Sequence, residues 1–186
     1  MNKSFFRSTL SAHKLAFFIV AAAVTTAAGA VLLTPGSGVS ATPAVIGTFV
    51  DPTGVKFKIK GGSQEVINVN NAANTVMHEI TILPATSTID GLPGHTGWHS
   101  HPGPVVVLIK SGTMSFYDGS DPTCTVRTYV QGDAFVDSGQ GHVHIARNEG
   151  IVPLVLGATY FDVPAASGSP WRINAANPGN CVGLGF

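Results

Sequence analysis

The sequence predicts an all-β protein, a sandwich, jelly roll or small barrel of short strands, on three observations. Runs rich in Val, Ile and Thr are punctuated by 22 glycines and 12 prolines in 186 residues, the pattern of short strands joined by tight turns. One run, "VKFKIK" (Val55–Lys60), alternates strictly between apolar residues and lysine, the period-two signature of a half-buried strand. After residue 45 no long stretch repeats with helical periodicity. The length suits one domain.

The formal charge of zero conceals a division. Lys3, Arg7 and Lys14 open the chain, leaving seven basic residues against ten acidic ones afterwards, a net of about −3. With no basic cluster interleaved with aromatics, this excludes a nucleic-acid surface. The basic opening precedes "LAFFIVAAAVTTAAGAVLL" (Leu15–Leu33), which is uncharged and mostly apolar. Together they predict an export signal, with small residues for cleavage at Ala28-Gly29-Ala30 or at Val39-Ser40-Ala41. An uncleaved anchor is the alternative, since about 20 apolar residues span a bilayer, and it would be the chain's only membrane attachment. Residues 1–41 are therefore set apart as signal or anchor plus linker, 44–175 as the folded domain and 176–186 as a C-terminal tail. Export would place Cys124 and Cys181 in an oxidising compartment; the sequence leaves a bridge and two free thiols equally open.

Within the domain, "AVIGTFV" and "VKFKIK" read as strands, with the three lysines as a solvated face. "GGSQ" turns the chain, "EVINV" is a weaker strand, and "NNAAN" (Asn70–Asn74) reads as a loop. "VMHEITIL" ends at Pro84, and a long Gly/Pro loop leads into "GWHSHPGP". "PVVVLIK" and "TMSFY" flank a turn at Ser111-Gly112. "DGSDPT" turns into "CTVRTYV", "AFVD" follows, and "HVHIAR" and "IVPLVLGATYF" complete the series. No repeat at a solenoid period is present.

Apart from His13 in the export segment, six histidines remain, and four form two H-x-H pairs: His99/His101 and His142/His144. Residues i and i+2 of a strand project to one face, so one pair directs two imidazoles at one point, and His144 from a second strand can complete three nitrogen ligands. Neutral imidazole binds through one nitrogen while the other is fixed by an outer acceptor.

These residues carry a family resemblance. "GWHSHPGPVVVLIKSG" resembles the first cupin motif, G-x5-H-x-H-x3,4-E-x6-G, through His99, His101 and Gly112. "GDAFVDSGQGHVHIARN" resembles the second, G-x5-P-x-G-x2-H-x3-N, through Gly132, Gly141, His144 and Asn148. The motifs span 94–112 and 132–148, and 19 residues separate Gly112 from Gly132, similar to the family's compact inter-motif hairpin. The resemblance implies a double-stranded β-helix (jelly-roll) barrel that holds one divalent metal.

The chain departs from the pattern in three places. Val105 stands where the family has its ligand glutamate. The opening glycine of the first motif is displaced by one, with Pro93 in its place and Gly94 after it. The second motif carries one extra residue and has Ser138 near its proline position. Without the glutamate, the resemblance implies a centre of His99, His101 and His144, with His142 as a candidate fourth ligand. Such a centre would retain open positions for a small chelating substrate, as in three-histidine dioxygenases. Fe, Mn, Ni, Cu and Zn are not distinguished by imidazole count. A non-catalytic ligand-binding barrel, a lyase or isomerase, and a purely structural surface protein are the competing readings. His95 is expected at the surface, His78 in the core, Trp98 either lining a pocket or packing at the barrel rim, Arg147 on a solvated face and Glu149 in a turn. By resemblance, a homodimer would pair through an edge such as "VKFKIK".

Overall fold

The computed structural model describes residues 35–42, 44–60, 65–88, 91–164 and 171–184. The segment expected to direct export lies outside them, apart from the stretch after residue 34. Among the described residues no helix is long and apolar enough to cross a membrane.

Two antiparallel sheets face each other. The first contains β1 (Val39–Ala41), β2 (Val45–Ile59), β3 (Glu65–Ile82), β5 (Val105–Ser111), β8 (Ala134–Asp137) and β10 (Leu154–Val163). Its order is β1-β3-β10-β5-β8, with β2 also paired to β3. The second contains β4 (His99–Ser100), β6 (Thr113–Asp118), β7 (Arg127–Val130), β9 (His144–Arg147) and β11 (Ile173–Asn174), in the order β11-β4-β9-β6-β7. Consecutive strands repeatedly fall in opposite sheets, so the chain winds around the interior they enclose.

Alternation sets what fills that interior. Val105, Val107 and Ile109 of β5, with Leu154, Leu156, Ala158 and Tyr160 of β10, meet Met114 and Phe116 of β6 and Ala146 of β9 in one buried cluster. The second sheet is unusual in that β9 is buried at every position and β6 at nearly every one. Its outer face carries Tyr117 and Ile145, which pack with Trp98 and Cys181 into a separate cluster. The C-terminal segment is thus a cover over the second sheet and not a free tail. Cys181 is bridged to Cys124 across a separation of 57 residues, and closing a loop of that length stabilises the fold by about 4 kcal/mol.

Two expectations are revised here. Val39–Ala41, expected within a linker, forms a strand in register with Ile80–Ile82, while Ser37 and His95 exchange backbone hydrogen bonds at 2.8–2.9 Å. Asn70–Asn74, expected as a loop, continues β3. The ladder with β2 and the burial of Ala72 and Asn74 outweigh the weak strand propensity of Asn and Ala, and register shifts around Thr53 on β2 absorb the irregularity.

At the end of the first motif, Gly112 has φ +78° and a Cβ there would lie 2.8 Å from the Pro153 carbonyl oxygen. Only glycine meets both demands, which fixes the turn from β5 into β6.

Candidate metal centre

β4 is short, but it places its histidine well. His99 is in register with His144 of β9, and His101 follows two residues later toward the same interior. The ring centroids lie 4.4 Å apart for His99–His144, 4.8 Å for His99–His101 and 5.2 Å for His101–His144. One nitrogen from each ring lies within 4.8 Å of the others. Phe116 stacks on His144 at 5.0 Å, and Tyr160 packs edge-on to His101 at 5.0 Å.

The Nδ1 atoms face acceptors. His99 Nδ1 lies 2.8 Å from the Gly97 carbonyl, His101 Nδ1 2.8 Å from the Trp171 carbonyl, and His144 Nδ1 3.3 Å from the His142 carbonyl. An Nδ1–H donated to a carbonyl leaves the Nε2 lone pair available, the arrangement that orients imidazole ligands. Burial holds all three rings below the ordinary histidine range, with His101 pushed down to about 4. They are therefore neutral at pH 7, as ligation requires.

The three rings line a cavity of ≈ 50 Å³ whose wall is otherwise mostly apolar, with Val105, Val107, Met114 and Leu156, and includes Asp137. Val105 is buried there, so β5 contributes no carboxylate at this level, and the carboxylate in the wall is that of Asp137. Phe116, Phe135 and Asp137 also border a larger open groove of ≈ 930 Å³ that includes Glu65, Arg127, Tyr129 and His142. These donors fit a divalent ion: three neutral imidazoles converge with their outer nitrogens already satisfied, in a site with few competing donors.

His142 is engaged differently. Its Nδ1 lies 3.0 Å from Asp137 Oδ1 and its Nε2 3.0 Å from Asp118 Oδ1. The hydrogen bond to Asp137, with Asp118 adding to it, raises His142 to about 9. Both its nitrogens face carboxylates, and with Asp137 and His144 it forms a second group whose potential ligand atoms lie within 4.8 Å of one another, apart from the three-imidazole group.

Of the other residues, His95 and Arg147 depart from the sequence reading and His78 follows it. His95 is buried, accepting at Nδ1 from the Gly97 N–H at 3.1 Å. Arg147 is also buried, donating to the Leu184 carbonyl at 3.1 Å, because the C-terminal cover lies over its face. Trp98 is fully buried in the outer cluster and does not line the cavity. His78 sits in the core beside Trp171, with Nδ1 2.9 Å from the Thr42 carbonyl. Glu149 accepts from the Tyr117 hydroxyl at 2.9 Å. Asn148 bonds the carbonyls of Ile82 and Val152, both at 2.8 Å, tying the end of the second motif to the first sheet. Asp137 was not singled out by its sequence context. Its signal was the alternation of "AFVD", which puts it on the same face as Phe135.

No family model matches the chain. Among solved structures, a protein with a double-stranded β-helix domain from Klebsiella pneumoniae is 20% identical, covering 54% of this chain and 74% of its own, at a TM-score of 0.40. A cupin-like protein from Thermotoga maritima is 18% identical, covering 58% and 71%, at 0.42. A cupin domain from Bordetella pertussis is 16% identical, covering 61% and 97%, at 0.38. The chain's own two facing sheets, between which it winds, are those of an all-β jelly-roll barrel of the double-stranded β-helix type, with three imidazoles converging inside it.

Proposed function

We propose that the protein is an exported cupin that holds one divalent cation on His99, His101 and His144 and acts, in the manner of a dioxygenase, on a small chelating substrate. The observation that carries this reading is the convergence of three buried imidazoles whose Nδ1 atoms all face carbonyl acceptors. Three neutral rings gathered in an apolar cavity have little structural justification without a common partner. A bound cation would supply Lewis acidity and coordination positions for substrate. Fe, Mn, Ni, Cu and Zn all suit the donors.

The protein's own residues divide the remaining work. Phe116, Met114 and Leu156 keep the inner cavity dry, and its ≈ 50 Å³ admits only the reacting end of a substrate. The open groove bordered by Tyr129, Phe135 and Arg127 offers room for the rest. Disulfide closure of Cys124 and Cys181 supports export, since such bridges persist in oxidising compartments.

The small inner cavity also favours a second reading, a barrel that binds metal and ligand without turnover. The test of both is metal analysis of protein purified without chelator, followed by oxygen uptake with diketones, phenols and thiols. One ion per chain, lost in His101→Ala, and substrate-dependent uptake support the enzyme. Metal without uptake, together with a tightly retained small molecule, supports the binding module. Sub-stoichiometric metal in both wild type and His101→Ala rejects the metal centre.

A further inference from the structure

The residue at the vacant glutamate position, Val105, is paired in register with Asp137 of β8. Directly opposed residues of neighbouring strands project to the same face, with the strands about 4.8 Å apart. Both side chains border the histidine cavity. A negative charge deleted from β5 at this level is therefore present one strand away, and the Asp137 side chain is only 2% exposed.

The surroundings of Asp137 define its role further. Oδ1 lies 3.0 Å from His142 Nδ1 and 3.5 Å from His144 Nδ1, so the carboxylate faces the outer nitrogen of one candidate ligand. Oδ2 is buried with no hydrogen-bond partner among the described residues. A buried carboxylate with a bare oxygen is an unfavourable arrangement that a nearby cation, or a donor held by it, would relieve. His142 cannot turn away from Asp137 easily, because its other nitrogen is held 3.0 Å from Asp118. The result is a chain, Asp118–His142–Asp137–His144, running from the open groove to the centre.

We propose that Asp137 is the anionic positioning residue of this centre: it restores, from across the β5–β8 ladder, the charge absent at Val105, and it acts through His144 while the Asp118–His142 pair fixes its orientation. This rests on the metal reading above. From 3.5 Å, beside the His142 carbonyl that takes the Nδ1–H at 3.3 Å, the Asp137 carboxylate raises the donor strength of the His144 ring through its charge. Its Oδ2 remains to accept a hydrogen bond from whatever occupies the open side of the centre.

The test is Co(II) titration of the full-length protein, freed of metal, followed by competition for affinity and by the visible absorption spectrum of the bound ion. Wild type is expected to bind one Co(II) per chain. Asp137→Asn keeps the shape and removes the charge; it should retain that stoichiometry, weaken affinity by about 10–100-fold and shift the spectrum. Adding Val105→Glu to Asp137→Asn should recover affinity to within about tenfold of wild type, because the charge returns at the opposed position. Unchanged affinity and spectrum in Asp137→Asn overturn the proposal and leave the metal centre standing. Binding that persists at full strength in His101→Ala overturns the metal centre itself. If Asp137→Asn does not fold, as judged by circular dichroism, the double variant is measured alone, and a loss beyond about tenfold overturns the proposal.

Discussion

His142 and His144 are two residues apart in one short stretch of sequence, yet the fold gives them opposite states. His144 lies inside the barrel against Phe116 and two other imidazoles, where burial keeps it neutral. His142 stands at the groove between Asp137 and Asp118, which keep it protonated. An H-x-H pair can therefore be one candidate ligand and one ion-pair bracket. Burial and partner, more than spacing, decide which is which.

The largest effect that separates the two is metal-dependent stability. A cation that binds only the folded state stabilises by about 4 kcal/mol at a concentration 1,000 times its dissociation constant. Thermal melts with and without Zn(II) should show this stabilisation in wild type, none in His144→Ala, and most of it retained in His142→Ala. Equal loss in both variants would make the pair equivalent and break the comparison.

The disulfide comes next. Cys181 anchors the cover over the outer face of β6 and β9, the two strands that carry the Asp118–His144 register pair. Replacing Cys124 and Cys181 together by serine should lower stability in urea by about 4 kcal/mol and leave the metal stoichiometry of the folded fraction unchanged.

Acid and alkali should sharpen the contrast by about 2–3 kcal/mol on each side in the metal-free protein. For His99, His101 and His144 the folded pKa is depressed. Their contribution is complete above the ordinary value near 6.5 and is lost as the pH falls toward about 4, the value for His101. For His142 the folded pKa is raised, so its contribution is complete below about 6.5 and is lost as the pH rises through about 9. Urea midpoints across this range should decline in both directions, and His142→Gln should flatten the alkaline limb alone.

The smallest effect concerns the N-terminal strand. β1 pairs with Ile80–Ile82, and Thr42 accepts from His78 through its carbonyl. A chain beginning at Thr42 should lose about 1–2 kcal/mol from the missing ladder bonds. For the proposed export signal this favours cleavage at Ala28-Gly29-Ala30 over Val39-Ser40-Ala41. If the proposed signal is cut, N-terminal sequencing of the mature chain should find a start upstream of Ser37.

Much of this was legible beforehand because motif spacing and strand period are local properties. His99, His101, His144 and the vacancy at Val105 all follow from counting residues along two stretches. Asp137 was not legible in that way, since its importance lies in a cross-strand register with Val105 and in the unpaired Oδ2. His95 and Arg147 are buried against the sequence expectation for a similar reason. The segments covering them come from Ser37 and from Leu184, and alternation within a strand does not reveal what a distant segment will cover. The Asn70–Asn74 stretch shows that weak strand propensity yields to a long ladder and a buried face.

The central claim is that His99, His101 and His144 hold one divalent ion. Anomalous diffraction from crystals of protein purified without chelator tests it directly. The account predicts a single metal peak within about 2.0–2.2 Å of one nitrogen from each of the three rings. No peak there after soaking with Fe, Mn, Ni, Cu or Zn, or a peak on His142 and Asp118 in its place, would contradict it.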